Sequence, residues 1–135
     1  CGQTGTPYAN VELIEQAAHR GFAFNVCRAL RAARTTYVLV VQHDRPMMRD
    51  VPLELLLQVM SEHEQLVHVN LPTGRTLAPV YEQFALSRYA QRLAPLCIES
   101  RGIRLMPLLQ FYDSTHASRR DAYIRMFHSL RFHNG

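Results

Sequence analysis

The sequence predicts an α/β domain in which a mixed sheet is flanked by helices. Segments with helical periodicity alternate along the chain with short apolar runs of strand length. The chain has 135 residues, of which 47% are hydrophobic and 19% charged, as in an ordinary globular domain. No apolar run approaches the roughly 18–20 residues that span a bilayer, so we expect no membrane segment. A length of 135 residues is typical of one domain, so residues 1–135 are expected to belong to a single domain.

Two helices are predicted before the first strand. Asn10 can cap a helix that covers about residues 10–19, and Gly21 breaks its pattern. The second helix is expected over about residues 22–34, because apolar side chains recur there at helical spacing. Its apolar side carries Phe22, Val26, Leu30 and Ala33.

The first strand is predicted over residues 35–41, a continuous run of β-branched and apolar residues. Because hydrophobic and polar residues do not alternate in it, we expect it to be buried on both faces, as in a parallel sheet covered by helices. The polar residues 42–45 end the run, and Pro46 stops further pairing.

The rest of the chain continues the alternation of helices and strands. Polar residues Asp113 to His116 precede a last helix, for which Ser118 is a suitable cap. The other predicted elements are a helix over about 53–64, a strand over 65–71, a helix over about 77–93, a hairpin pairing 97–99 with 103–106 around Gly102, and an apolar segment over 108–112.

The positive charge is dispersed along the chain. The net charge is +4, and all fifteen basic residues are arginine. Nucleic-acid binders usually concentrate such charge on one face or stretch, so we expect no nucleic-acid partner. An anionic small ligand is the alternative, because the planar guanidinium fork matches phosphate oxygens.

The first group of candidate site residues follows the strand predicted over 35–41. Ligands of open α/β sheets bind beyond the carboxyl ends of the strands. The Asp44 carboxylate could hold a divalent cation there, and a cation can neutralise a diphosphate. Gln42 shares a side with Asp44, whereas His43 faces away, and Arg45 adds a fixed positive charge. The alternative is an ordinary strand-to-loop turn capped by Asp44.

A glycine, a helix with an alanine-rich end, a tyrosine before an apolar strand and a polar triplet follow one another within residues 17–45. Gly21, Tyr37 and the triplet of Gln42, His43 and Asp44 mark these positions. In this order the segment resembles the middle of family 2 glycosyltransferases with the GT-A fold, whose Asp-x-Asp metal motif falls on the triplet. The resemblance implies a Rossmann-like, GT-A-like sheet that is incomplete at the N-terminus, because the nucleotide-binding strands would precede this segment.

The same resemblance implies a ligand set. Asp44 would coordinate the Mn²⁺ or Mg²⁺ that bridges the phosphates of a nucleotide-sugar donor, with Gln42, His43 and Arg45 as substrate-binding neighbours. The sequence departs from the family at Gln42, which replaces the first acidic residue of the motif. The family's Arg-Asn pair is also absent, and Asn25 and Arg28 are the nearest substitutes for donor binding.

The second group of candidate site residues lies between Phe111 and His116. A glycosyltransferase needs a base to take the proton of the acceptor hydroxyl, and Asp113 is the candidate. His116 could ligate the cation through a neutral ring nitrogen. The alternative is that these residues only cap the helix that follows.

Together these residues predict a metal-dependent glycosyltransferase that moves a sugar from a nucleotide-sugar donor to an acceptor hydroxyl. Two alternatives remain. One is a non-catalytic GT-A-like binding module that has lost part of the metal motif, as Gln42 suggests. The other is a hydrolytic or phosphoryl-transfer enzyme that uses Asp44 and His116.

Overall fold

The computed structural model describes residues 5, 9–44, 47 and 50–129. Its helices and small antiparallel sheets confirm the α/β class in general terms. Within these ranges, no helix has both the length and the apolar composition needed to cross a bilayer. The helices are α1 Phe22–Ala32, α2 Leu53–Glu62, α3 Ala78–Tyr89 and α4 Arg120–Ser129, and the strands are β1 Tyr37–Val40, β2 His68–Asn70, β3 Ile98–Ser100, β4 Ile103–Leu105 and β5 His116–Arg119.

The chain forms two compact units. One contains Thr35–Tyr123 and therefore all five strands, together with α2 and α3. The other contains the described residues up to Arg34, including α1, together with the end of α4 from Ile124 onward. The candidate site residues that follow the first strand or precede the last helix thus belong to the unit Thr35–Tyr123, whereas α1 belongs to the other unit.

The larger sheet fixes which loops share an edge. Its strand order is β1-β5-β2, and both pairings are antiparallel. His116, the first residue of β5, faces Val40 on one side and Asn70 on the other. Since β1 and β2 therefore run in the same direction, both end at the edge where β5 begins. The segments after Val40, after Asn70 and before His116 consequently meet this one edge.

The predicted burial of the first strand on both faces is wrong. Leu39 is 37% exposed, and the other residues of β1 are half-buried. Among the described strands, β1 pairs only with β5, so it is an outer strand of a small antiparallel sheet. The parallel pairs of the expected mixed sheet are not found among the described strands, and the GT-A-like arrangement stays a prediction.

The chain also differs from the sequence prediction at two other elements. Residues 11–20 form no helix, and Val11 and Leu13 are 55% and 71% exposed. A short helix needs a packed apolar face, which these side chains do not provide. Near the other end of the chain, Ser118 lies in β5 and does not cap a helix, because α4 begins at Arg120.

Two apolar clusters form the core of the unit Thr35–Tyr123. The first packs α2 beneath β2 and β5, and the second joins α3 to the chain that precedes β5. Met60, Tyr81 and Leu93 are each 0% exposed. The buried members of the first cluster are Leu56, Met60, Val69, Leu71 and Ala117, and those of the second are Tyr81, Ala85 and Leu93.

The predicted hairpin is confirmed as β3 and β4. Ser100 faces Ile103, and the two residues between them, Arg101 and Gly102, have φ angles of 51° and 77°. Two consecutive positive φ angles are typical of the type I′ turn, which favours glycine and matches the twist of paired strands. Arg101 also forms an ion pair with Glu62 at the end of α2.

Tyr81→Phe should destabilise the fold. The Tyr81 hydroxyl is buried and accepts a hydrogen bond of 2.7 Å from the Leu109 amide, which the variant leaves without its partner. We expect a loss of about 1–2 kcal/mol in the free energy of unfolding, measured by urea denaturation. Tyr89→Phe is the matched control, because the exposed Tyr89 hydroxyl donates to Gln110 at 3.3 Å, and its change should stay within ~0.5 kcal/mol. Equal losses of unfolding free energy in the two variants would contradict a stabilising role for the Tyr81 hydrogen bond.

Candidate functional site

The Asn70 side chain holds the segment around Asp113. Its amide nitrogen donates to the Tyr112 carbonyl at 3.1 Å and to the Ser114 hydroxyl at 2.9 Å. These two residues lie immediately on either side of Asp113, whose own side chain is exposed. One amide at the end of β2 therefore anchors both neighbours of an exposed carboxylate at the sheet edge.

His68 bonds to the other end of that amide. Its Nε2 lies 2.5 Å from the Asn70 Oδ1, and its Nδ1 lies 2.7 Å from the Ser118 hydroxyl. Because Oδ1 can only accept, the proton of the neutral ring is on Nε2, and Nδ1 accepts from Ser118. The hydrogen bonds run from Ser118 through His68 and Asn70 to Ser114, and we call these four residues the His68 network.

His116 packs beside this network with one ring nitrogen unpaired. Its Nδ1 lies 2.6 Å from the Ser114 carbonyl, which can only accept, so the ring proton is on Nδ1. Its Nε2 is buried and has no hydrogen-bond partner within the described part of the chain. The ring centroids of His68 and His116 are 4.4 Å apart, and the Tyr123 ring meets His116 edge-on at 5.1 Å. An unprotonated Nε2 with a bonded Nδ1–H is the form of histidine that ligates metals.

Burial lowers the pKa of both imidazoles and so favours their neutral forms. It lowers the pKa of His68 to about 4, and the nearby His116 acts in the same direction, while the hydrogen bond with Asn70 opposes the shift. Burial also lowers the pKa of His116, against the opposing effects of the Ser114 carbonyl and the Asp113 carboxylate. The pKa of Tyr123 rises to about 12, through burial and the charge of Asp113. Asp113 thus lies close enough to this buried cluster to act on it electrostatically.

The other predicted group of site residues leaves the sheet at the same edge. Gln42 is half-buried, whereas His43 and Asp44 are exposed in the turn that follows β1. No described residue donates a hydrogen bond to Asp44. Arg45, the predicted positive neighbour, lies outside the described residues.

Asn25 and Arg28 belong to the other unit. Both are exposed on α1, and the Arg28 Nη1 donates to the Gln16 Oε1 at 3.3 Å. The unit that carries the sheet edge contains neither residue. Their predicted role as donor contacts therefore stays a prediction.

The candidate metal-ligand atoms suit a cation that also binds the substrate. In the described ranges, no three His, Cys, Asp or Glu side chains are grouped so that they could hold a metal ion. Mg²⁺ sites, however, commonly use one or two carboxylates and complete their ligand set with substrate phosphates and water. Asp44 fits the part of such a single carboxylate. His116 is 0% exposed, so its Nε2 could meet a cation only if the covering residues moved.

Two residues of this site were missed from the sequence, and one interpretation was wrong. His68 and Asn70 alternate in β2, so a common face could have been predicted for them from the run 65–71. Asp113 does not cap the last helix, because β5 lies between Asp113 and the start of α4. The alternative that reduced this residue to helix capping is therefore excluded.

Lowering the pH from 6.5 to about 4 should destabilise the unit Thr35–Tyr123. The pKa of His68 is 6.5 in the unfolded chain and about 4 in the folded chain. The unfolded state therefore binds more protons in this window. The stabilisation is complete above pH 6.5 and is lost as the pH falls through about 4. For this partly exposed ring we expect a loss of roughly 2 kcal/mol by urea denaturation.

The variant His68→Gln separates this effect from carboxylate protonation. It should flatten the dependence of stability on pH, whereas His19→Gln, which changes an exposed histidine, should not. A His68 resonance that titrates near pH 6.5 in the folded protein would contradict the burial argument.

Comparison with known proteins identifies no relative. No protein-family model matches the chain, and neither does any curated protein or any solved structure.

Proposed function

We propose that this chain carries the transfer site of a metal-dependent glycosyltransferase, which moves a sugar from a nucleotide-sugar donor to an acceptor hydroxyl at the sheet edge. One observation carries the proposal. Asn70 anchors the residues on both sides of the exposed Asp113, at the edge where β1 leads into Asp44. Two exposed carboxylates, Asp44 after β1 and Asp113 before β5, are thus attached to neighbouring strands at one edge of a sheet.

Asp113 is suited to the part of general base. As the acceptor oxygen bonds to the anomeric carbon of the donor sugar, its proton must leave, and an exposed carboxylate can take it. The bond from the same carbon to the donor diphosphate breaks in this step. A base is effective only when it is held in position, and the two hydrogen bonds from Asn70 supply that restraint.

Asp44 is suited to the donor side of the reaction. Its carboxylate would hold Mn²⁺ or Mg²⁺, which supplies neutralisation of the diphosphate charge when bound. Gln42 is a hydrogen-bonding neighbour for the donor sugar, and His43 and Arg45 are further neighbours in sequence. Asn25 and Arg28 are retained as proposed donor contacts from the resemblance alone.

A non-catalytic binding module is the second candidate function. Two observations favour it: Gln42 stands in place of a carboxylate, and the described residues offer no group of three metal ligands. Such a module would bind a nucleoside diphosphate without turnover. Titration of Mn²⁺ by calorimetry, with and without uridine diphosphate, together with the turnover assay below, distinguishes the two functions.

Asp44→Ala and Asp113→Asn should each reduce sugar transfer in the full-length protein. We expect Asp113→Asn to lower kcat by about 10²–10⁴-fold, because it removes the base. Asp44→Ala should lower turnover by at least about 10²-fold and abolish its dependence on Mn²⁺. The assay measures release of nucleoside diphosphate from a panel of uridine and guanosine diphosphate sugars.

Asp50→Asn is the matched control, because Asp50 is exposed and lies outside the proposed site. Its turnover should equal that of the unchanged protein. Full turnover in Asp44→Ala or Asp113→Asn would remove the corresponding role.

A further inference from the structure

The unit that contains α1 has a large cavity of its own. Its volume is about 1100 Å³, and it is lined by α1, the chain just before it and the end of α4. This is as large as the pockets that hold drug-sized ligands or nucleotides. Phe24 and Phe127 supply aromatic surface to it, and Phe24 is 44% exposed.

Three arginines give this cavity a positive charge that no carboxylate of a described residue compensates. Arg20, Arg28 and Arg31 all line it, and none of the ion pairs among the described residues involves them. Their observed partners are neutral. The Arg20 guanidinium lies 5.1 Å from the Phe24 ring centre, and Arg28 donates to the Gln16 side chain at 3.3 Å. No carboxylate lines the cavity among the described residues.

His128 holds the third arginine without cancelling its charge. The His128 Nδ1 lies 2.8 Å from the Ile124 carbonyl, so Nδ1 carries the proton of the neutral ring. Its Nε2 then accepts from the Arg31 Nη2 at 3.3 Å. Arg28 and Arg31 are three residues apart on α1, so their guanidinium groups project from one face of the helix.

We propose that this cavity binds a small organic phosphate, with the phosphate on Arg28 and Arg31 and the apolar or aromatic part against Phe24 and Phe127. The guanidinium fork matches phosphate oxygens in pairs, and several forks around one cavity match the multiple charge of a phosphate monoester. The aromatic walls favour an ester over the free ion, because they stabilise only the organic part. The inference shares only Arg28 with the proposed sugar transfer, since Asp44 and Asp113 belong to the other unit.

The ligand class can be tested by calorimetry on the full chain at low salt. The probes are 1-naphthyl phosphate, inorganic phosphate and 1-naphthol. We expect 1-naphthyl phosphate to bind at least about tenfold more tightly than either of the others, because only it uses both the charged and the aromatic surface. Equal binding of 1-naphthol would overturn the phosphate site, and equal binding of inorganic phosphate would overturn the role of the aromatic wall. Failure of 1-naphthyl phosphate to bind would overturn the whole proposal.

Substitutions locate the site. Arg28→Gln and Arg31→Gln should each weaken 1-naphthyl phosphate by about five- to tenfold, since each removes a charged fork from an exposed helix position. Phe24→Ala should weaken 1-naphthyl phosphate but leave inorganic phosphate within about twofold. Arg75→Gln is the control, because Arg75 is exposed in a turn of the other unit. With helicity unchanged by circular dichroism, unaltered binding in both cavity arginine variants would place the ligand elsewhere.

Discussion

The arrangement of the sheet edge depends on one constraint, the need to satisfy a half-buried neutral imidazole between two polar side chains. The Asn70 amide nitrogen donates to the Tyr112 carbonyl, which can only accept, so the Asn70 oxygen faces His68 and accepts from its Nε2, while Nδ1 accepts from Ser118. The same amide nitrogen also donates to the Ser114 hydroxyl. These hydrogen bonds join β2 to the residues before β5 and hold that segment against the strand.

The register of the sheet places the segments that carry the proposed reacting residues at the same edge as the His68 network. His116 is paired with the last residues of both β1 and β2, so the three segments that end or begin there share an edge. The segment before β5 carries Asp113, and the turn after β1 carries Asp44. Two exposed carboxylates thus lie in the segments next to strand ends, Asp44 after β1 and Asp113 before β5. A site of this kind separates the positioning groups from the reacting groups.

Local sequence patterns predicted the elements whose structure is determined locally. The helices α1, α2 and α3 and the hairpin were predicted because apolar spacing and turn glycines specify them. The central strand β5 was missed, since His-Ala-Ser-Arg has no β-branched or aromatic residue and becomes a strand only through its two neighbours. The same applies to the His68 network, whose members are joined across 44 and 50 residues of sequence. The turn at Asp44 could be predicted, because an apolar run that ends in polar residues marks a strand end.

Amide hydrogen exchange in Asn70→Ala tests the central claim most directly. If the Asn70 amide holds the segment before β5, the variant should speed exchange of the amides in residues 111–115 by at least about tenfold, while the β3–β4 hairpin keeps its rates. Asn25→Ala, which changes an exposed asparagine on α1, should leave both segments as they are. Unchanged exchange in residues 111–115, or an equal increase throughout the molecule, would contradict the account, because Asn70 would then not be the anchor of Asp113.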